Sequence, residues 1–283
     1  MSTRLDGLHV SKEIRKQIAQ EVSEITMQGN RAPSLTVVLV GNDPASETYV
    51  NSKMKQASAV GMTSKTIRLE EDTSEDDVLR HIHALNDDAD VDGILVQLPL
   101  PKHINEDIIV DAISPSKDVD GLHPLNVGLL EINRPQFISC TPKGIMRLLG
   151  WYHIDVTGKR ALVIGRSRLV GKPVATLLTH ANATVTLAHS RTQNLDTLIQ
   201  ESDIVVVAIG QPNFIKASQV QSHQVLVDVG IHRIDGKIVG DVDPEAYKKV
   251  AYATPVPKGV GPMTIASLLE NTLQAYRAQH AQK

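Results

Sequence analysis

The chain has 283 residues, 41% of them hydrophobic and 22% charged, with a formal net charge of −3. This is the composition of a soluble globular protein, and at roughly 100–200 residues per domain the length predicts two domains. The slight negative charge argues against nucleic acid or an anionic membrane as the main partner. The single cysteine, Cys140, excludes a disulfide within the chain and suits a reducing cytoplasm. The opening MSTRLDGLHV lacks the apolar core of a signal peptide. The strongest apolar runs, LTVVLV and IVVVAI, are of strand length, against the roughly 20 residues of a spanning helix. The chain therefore reads as cytoplasmic, without membrane or nucleic acid.

Ile14, Ile18, Val22 and Ile25 recur at helical spacing and predict an amphipathic helix ending near Gly29. A buried strand follows at Leu35–Val40 and stops at the turn signal GNDP. Next come a helix carrying SETYVNSKMKQASAV, a short strand near KTIRL, a helix using Val78, Ile82 and Leu85, and a strand at Gly93–Leu98. This alternation predicts a mostly parallel sheet with helices on its faces. A second alternating series begins after Cys140, with buried strands at Ala161–Gly165, Thr184–Ala188, Ile204–Gly210 and Val225–Gly230. A last helix starts near Pro262 and carries Ile265, Leu268, Leu269 and Leu273. The fold class is α/β, with two α/β domains around a cleft, the second a Rossmann-like parallel sheet. The expected boundaries are 1–140 plus 262–283 for one domain and 141–261 for the other. Sites commonly lie between such domains.

The strand–turn–helix ALVIGRSRLVGKP carries Gly165, Ser167 and Gly171 in the pattern G-x-S-x-x-x-G, a variant of the dinucleotide fingerprint G-x-G-x-x-G. Gly165 permits a tight turn, Ser167 offers a hydroxyl to a phosphate, and the following helix N-terminus offers N–H groups and a positive dipole end. A plain strand–helix connection satisfies the same pattern. The next strand sharpens the choice. NAD enzymes place an acid about 20 residues on, for the ribose 2′-hydroxyl. Here Ser190 and Arg191 stand in that place, with Arg166 in the first turn. Guanidinium forks and a hydroxyl suit a 2′-phosphate, so the cofactor predicted is NADP. Ile231, after the fourth strand, lies at the edge that lines the ligand crevice of such sheets, and packing alone also accounts for it.

On the SETYVNSKMKQASAV helix, Val50, Met54, Ala57 and Val60 form the apolar stripe. Ser46, Tyr49, Lys53 and Gln56 lie on a second stripe about 100° around, which places Tyr49 and Lys53 at the rim of the buried face. Most such pairs do no chemistry, and a rim lysine usually snorkels. Gln97 interrupts an apolar strand near its C-terminal end, where α/β sheets place functional groups. Asp118 and Asp120 in KDVDG are read equally well as turn chemistry. The histidines lack HExxH spacing, and one cysteine builds no thiolate zinc cluster, so no metal is expected.

YVNSKMK, GILVQLPLP, KDVDGLHPLNVG, CTPKGIM, GRSRLVGKP and TPVPKGVGPMT occur in this order along essentially the whole chain. The set resembles the bifunctional methylenetetrahydrofolate dehydrogenase/methenyltetrahydrofolate cyclohydrolase family. The resemblance implies that NADP oxidises 5,10-methylenetetrahydrofolate to the methenyl form, which is then hydrolysed to 10-formyltetrahydrofolate. It also implies that Tyr49 stacks on the folate ring system, that Asp120 accepts from pterin N–H groups, and that Lys53 is general base and then acid, held by Gln97. A free lysine is a poor base at neutral pH, and burial with a nearby substrate cation favours its neutral form. Gly259 and Gly261 allow close backbone approach, Pro262 opens the last helix, and Gly259 and Pro262 line the substrate site. The family usually has two glycines where this chain reads Lys258–Gly259. A homodimer is implied as well. The readings set against this one are another two-domain NADP oxidoreductase of shikimate-dehydrogenase type and a non-catalytic NADP-sensing module.

Overall fold

The computed structural model describes residues 2–280. In chain order the elements are β1 (Thr3–Arg4), α1 (Gly7–Met27), β2 (Ser34–Val40), α2 (Pro44–Ala59), β3 (Thr63–Leu69), α3 (Glu75–Asp87), β4 (Gly93–Val96), α4 (Glu106–Ala112), α5 (Pro124–Glu131) and α6 (Cys140–Trp151). They continue as β5 (Arg160–Ile164), α7 (Gly171–His180), β6 (Thr184–Ala188), α8 (Leu195–Glu201), β7 (Ile204–Val207), β8 (Val225–Asp228), β9 (His232–Ile234), β10 (Lys237–Val239), α9 (Pro244–Lys249), β11 (Tyr252–Ala253) and α10 (Val260–His280). The chain divides into two compact units. The first contains Glu13–Ile138 and the residues from Leu268 on; the second contains the residues up to Lys12 and Ser139–Ser267.

In the first unit a parallel sheet runs β3–β2–β4. All seven residues of β2 are buried, as expected of a strand covered on both faces. Val38, Ile82, Ile94 and Ile109 sit in one apolar cluster on this sheet, each contributing roughly 1.5–3 kcal/mol by leaving water. The KDVDG segment runs alongside β4. Ile94 N donates to Lys117 O at 2.8 Å, and a Cβ on Gly93 would meet Val119 Cγ1 at 2.7 Å, so only glycine admits that approach. Late in α10, buried Asn271 donates to Val119 O at 2.8 Å and Ile138 O at 2.9 Å, tying the C-terminal helix to this unit.

In the second unit six strands run in the order β1–β11–β8–β7–β5–β6, and every pairing is parallel. β6 lies on one side of β5 and β7 on the other, so the winding reverses at β5. Ligands of open α/β sheets bind outside the carboxyl ends at such a reversal. β4, β7 and β8 stop two or three residues before their apolar runs do, because the chain turns out of the sheet there. One ladder bond still follows at each of these ends: Gln97 N to Val38 O at 2.9 Å, Ala208 N to Ile164 O at 2.8 Å and Val229 N to Val207 O at 3.0 Å. The two-residue strands β1 and β11 and the β9–β10 hairpin carry no periodicity of their own, so the sequence does not predict them.

Candidate active site

The lysine site begins with the cap of α2. Asp43 is its N-cap and accepts from Ser46 N at 2.8 Å, with Pro44 following at the start of the helix. That bond holds the Asp43 carboxyl below its ordinary range. The buried positions of α2 are Ser46, Val50, Lys53 and Ala57. This corrects the expected stripe: the spacing 46, 50, 53, 57 is itself one helical face, and Lys53 stands in the middle of it rather than at its rim. Only 9% of Lys53 is exposed.

Its amine donates to Gln97 Oε1 at 2.9 Å. The Gln97 amide cannot turn over freely, because Nε2 donates to Leu98 O at 2.6 Å. With the nitrogen committed, the oxygen is what Gln97 offers to Lys53. Tyr49, one turn earlier on α2, keeps 41% of its surface exposed, and burial of the remainder raises its phenol pKa. The structure thus joins Lys53 to Gln97 and sets Tyr49 one turn before Lys53 on the same helix.

Asp120 is half-buried in the same unit. Its neighbour Asp118 is 1% exposed and accepts from Gly121 N at 3.1 Å, His123 N at 2.8 Å and Asn126 Nδ2 at 2.8 Å. Burial pushes the Asp118 carboxyl up, against the pull of these donors. Asp118 is therefore the turn-former of KDVDG, and Asp120 stands half-buried two residues further on.

The remaining candidates lie in the second unit. Gly165 ends β5 with φ +114°, and a Cβ there would lie 2.2 Å from Ala208 O. A Cβ on Gly171 would lie 1.9 Å from Gly165 O. The two glycines shape a tight cradle at the reversal of the sheet. Ser167 Oγ accepts from Val170 N at 3.2 Å and Gly171 N at 3.4 Å, capping the start of α7. Arg166, Ser167, Ser190 and Arg191 are all exposed. The register Ile164↔Ala188 sets the end of β5 against the end of β6, so Arg166 leaves one strand end as Ser190 and Arg191 leave its neighbour. A glycine cradle, a helix N-terminus and two exposed guanidinium groups match the phosphates of NADP.

Ile231 is 45% exposed, and a Cβ on Gly261 would touch its Cδ1 at 3.4 Å. Gly259 is buried, and a Cβ there would lie 2.4 Å from Pro255 O, so no side chain fits. The helix start differs from expectation: α10 begins at Val260, which leaves Pro262 inside its first turn, where a missing N–H costs nothing. Lys258, where the resemblance leads one to expect a glycine, adopts φ +85° and is exposed. This is the left-handed region that favours glycine, so the loop carries a side chain at the strain that conformation imposes.

Sequence reasoning missed a cluster behind the same sheet edge. Asp228 and Asp241 are buried at 1% and 0% exposure, and His232 Nε2 lies 2.7 Å from Asp241 Oδ1. Burial raises the Asp228 carboxyl to about 6. The signal available was the pair VDVG and VGDVD, each setting an acid within two residues of a glycine in an otherwise apolar stretch.

A doubly wound parallel sheet with a phosphate-type glycine turn, in one chain with a buried lysine clamped by a glutamine, defines a dinucleotide-dependent α/β enzyme. The family model for the tetrahydrofolate dehydrogenase/cyclohydrolase catalytic domain matches residues 5–120, and that for the NAD(P)-binding domain of the same enzymes matches residues 139–280. The chain belongs to the tetrahydrofolate dehydrogenase/cyclohydrolase family. The bifunctional protein FolD of Acetivibrio thermocellus is 50% identical over 281 residues, covering 99% of this chain and 98% of that protein. A crystal structure of the bifunctional FolD methylenetetrahydrofolate dehydrogenase/cyclohydrolase from Campylobacter jejuni superposes with a TM-score of 0.96 at 46% identity, covering 98% of this chain and 99% of that one. The Trypanosoma brucei enzyme, solved with NADP cofactor and an inhibitor, gives a TM-score of 0.94 at 37% identity, covering 98% of each chain. Among the described residues no helix is long and apolar enough to cross a membrane, and no group of three or more His, Cys, Asp or Glu residues is placed to hold a metal ion.

Proposed function

We propose that this chain oxidises 5,10-methylenetetrahydrofolate to 5,10-methenyltetrahydrofolate with NADP and hydrolyses that product to 10-formyltetrahydrofolate. The observation that carries the reading is the buried Lys53 amine, 2.9 Å from a Gln97 oxygen whose orientation is fixed. Bound NADP supplies the acceptor for the hydride leaving the methylene carbon. The resulting cation is delocalised over the two folate nitrogens, so this step asks the protein mainly for position. In the second step water adds to the cationic carbon. Lys53 takes a proton from that water as the C–O bond forms, and returns a proton to the ring nitrogen as the C–N bond breaks; one proton is released overall. Gln97 keeps the amine aimed. Tyr49 offers its exposed face to the folate ring system, and Asp120 accepts from the pterin N–H groups.

Residues 1–140 with 262–283 are assigned to the folate-binding catalytic domain and 141–261 to the NADP domain, although the residues up to Lys12 and those from 262 to 267 pack with the second unit. Gly165, Arg166, Ser167, Ser190, Arg191 and Ile231 serve the cofactor, and Gly259 and Pro262 the substrate. A homodimer acting in the cytoplasm completes the proposal. A two-stage absorbance assay tests it: NADP reduction with methylenetetrahydrofolate, then decay of the methenyl absorbance. Reduction without decay would leave only the dehydrogenase, and neither signal would leave a cofactor-binding module.

Cofactor choice gives a separate expectation. A charge-assisted hydrogen bond is worth about 1.5–3 kcal/mol, so Arg191→Ala should lower the NADP-over-NAD preference in kcat/KM by roughly 10- to 150-fold. An unchanged ratio would remove Arg191 from the 2′-phosphate site.

A further inference from the structure

Two carboxylates that the proposed chemistry does not use lie behind the carboxyl edge of the six-stranded sheet. Asp241 Oδ2 accepts from Ile209 N at 2.8 Å and Gly210 N at 3.1 Å, in the turn that leaves β7. Its Oδ1 meets His232 Nε2 at 2.7 Å, just past the turn that leaves β8. Asp228 in turn fixes Asp241. Asp228 Oδ1 accepts from Gly230 N and Asp241 N, both at 2.9 Å, and Oδ2 accepts from Val242 N at 2.9 Å and from the Tyr247 hydroxyl at 2.5 Å. The fit depends on glycine: a Cβ on Gly230 would lie 2.2 Å from Asp241 Oδ1, and one on Gly240 would lie 1.9 Å from Asp228 Oδ2.

The cluster locks two turns to each other through directional bonds. An apolar filling of the same space would be cheaper than a buried carboxylate, but it would fix neither the direction nor the spacing of the Ile209 and Gly210 N–H groups. Those turns stand at the ends of β7 and β8. Ser190 and Arg191, the candidate 2′-phosphate contacts, stand on the other side of β5 at the end of β6. In a sheet that binds a dinucleotide across its reversal, one side takes the adenosine half and the other takes the nicotinamide half.

We propose that Asp241 is a positioning residue for the cofactor: it holds Ile209–Gly210 directly, and Gly230–Ile231 through His232, in the arrangement that receives the nicotinamide–ribose half of NADP. The proposal rests on the assignment of this sheet to NADP. Asp241 touches no substrate; it acts through the backbone it orders.

The test titrates NADPH fluorescence on the full-length enzyme, with cyclohydrolase activity on preformed methenyltetrahydrofolate as a readout that needs no cofactor. Asp241→Ala removes all three bonds and should weaken NADPH binding at least tenfold while the cyclohydrolase rate stays within about twofold. Asp241→Asn should recover most of the affinity, because its oxygen can face the two backbone N–H groups and its nitrogen the histidine ring. His232→Ala, at a part-exposed position, should weaken binding about three- to tenfold, and it decides the matter if Asp241→Ala fails to fold. Unchanged NADPH affinity in the folded variant, or a parallel loss of cyclohydrolase activity, would overturn the positioning role. Failure of the unaltered enzyme to bind NADPH would instead overturn the cofactor assignment beneath it.

Discussion

Replacing Lys53 with methionine should raise the stability of the protein and abolish its hydration step together. The stability half follows from burial. Lys53 occupies the buried face of α2 between Val50 and Ala57, and the bond to Gln97 is the one hydrogen bond its amine makes among the described residues. A buried polar group with a single partner costs free energy relative to an apolar one of similar shape. Methionine fills nearly the same volume without that cost, and Gln97, whose oxygen it abandons, is only half-buried. A gain of about 1–2 kcal/mol is expected, a few degrees in melting temperature for a protein of this size. The activity half follows from the proton. General acid–base assistance is worth about 10²- to 10⁴-fold, so the cyclohydrolase rate should fall by that factor. Gln97→Ala should cause a smaller loss, since the amine remains and only its aim is relaxed. Destabilisation by Lys53→Met, with hydration intact, would show that the amine is there for packing and not for chemistry.

The stripe on α2 also marks where sequence reading stops. Helical spacing identifies the element and its partners, but a choice between Met54 and Lys53 as the fourth buried position turns on what packs against the helix. Gln97, just past the end of β4, supplies that answer, and it lies 44 residues from Lys53. β2, β4, β5, β7 and β8 are legible because parallel strands buried on both faces read as continuous apolar runs. The glycine turn is legible because its shape demands glycine. Asp118 and Asp120 are not separable, since two acids in one turn look alike until one is seen accepting three hydrogen bonds. The pair Asp228 and Asp241 escapes notice for the same reason: one acid ends β8 and the other lies in a loop, and their meaning comes from turns brought together by the sheet. β1 is the extreme case, since Thr3–Arg4 become a strand by pairing with Tyr252–Ala253. At Lys258 the resemblance leads one to expect a glycine, and the backbone there does take a positive φ.

Substituting alanine for Gly165 should damage the cofactor unit far more than the same change at another positive-φ glycine, and the contrast separates two costs. At Gly158, φ is +69° and no heavy atom lies within 4 Å of the place a Cβ would take. Gly158→Ala should therefore carry backbone strain alone, about 1–2 kcal/mol. At Gly165, φ is +114° and the new methyl would sit 2.2 Å from Ala208 O. That oxygen belongs to the main chain at the end of β7, where Ala208 N is itself bonded to Ile164 O at 2.8 Å. No rotamer relieves the collision, so the ends of β5 and β7 must separate. Overpacking adds about 1–3 kcal/mol to the strain, giving a total of about 2–5 kcal/mol in a denaturant melt. Separating those strand ends also opens the cradle below Ser167, so NADPH affinity should drop along with stability, whereas Gly158→Ala should leave it unchanged. Equal effects of the two substitutions on both measurements would mean that the close approach of β5 and β7 is not what shapes the phosphate turn.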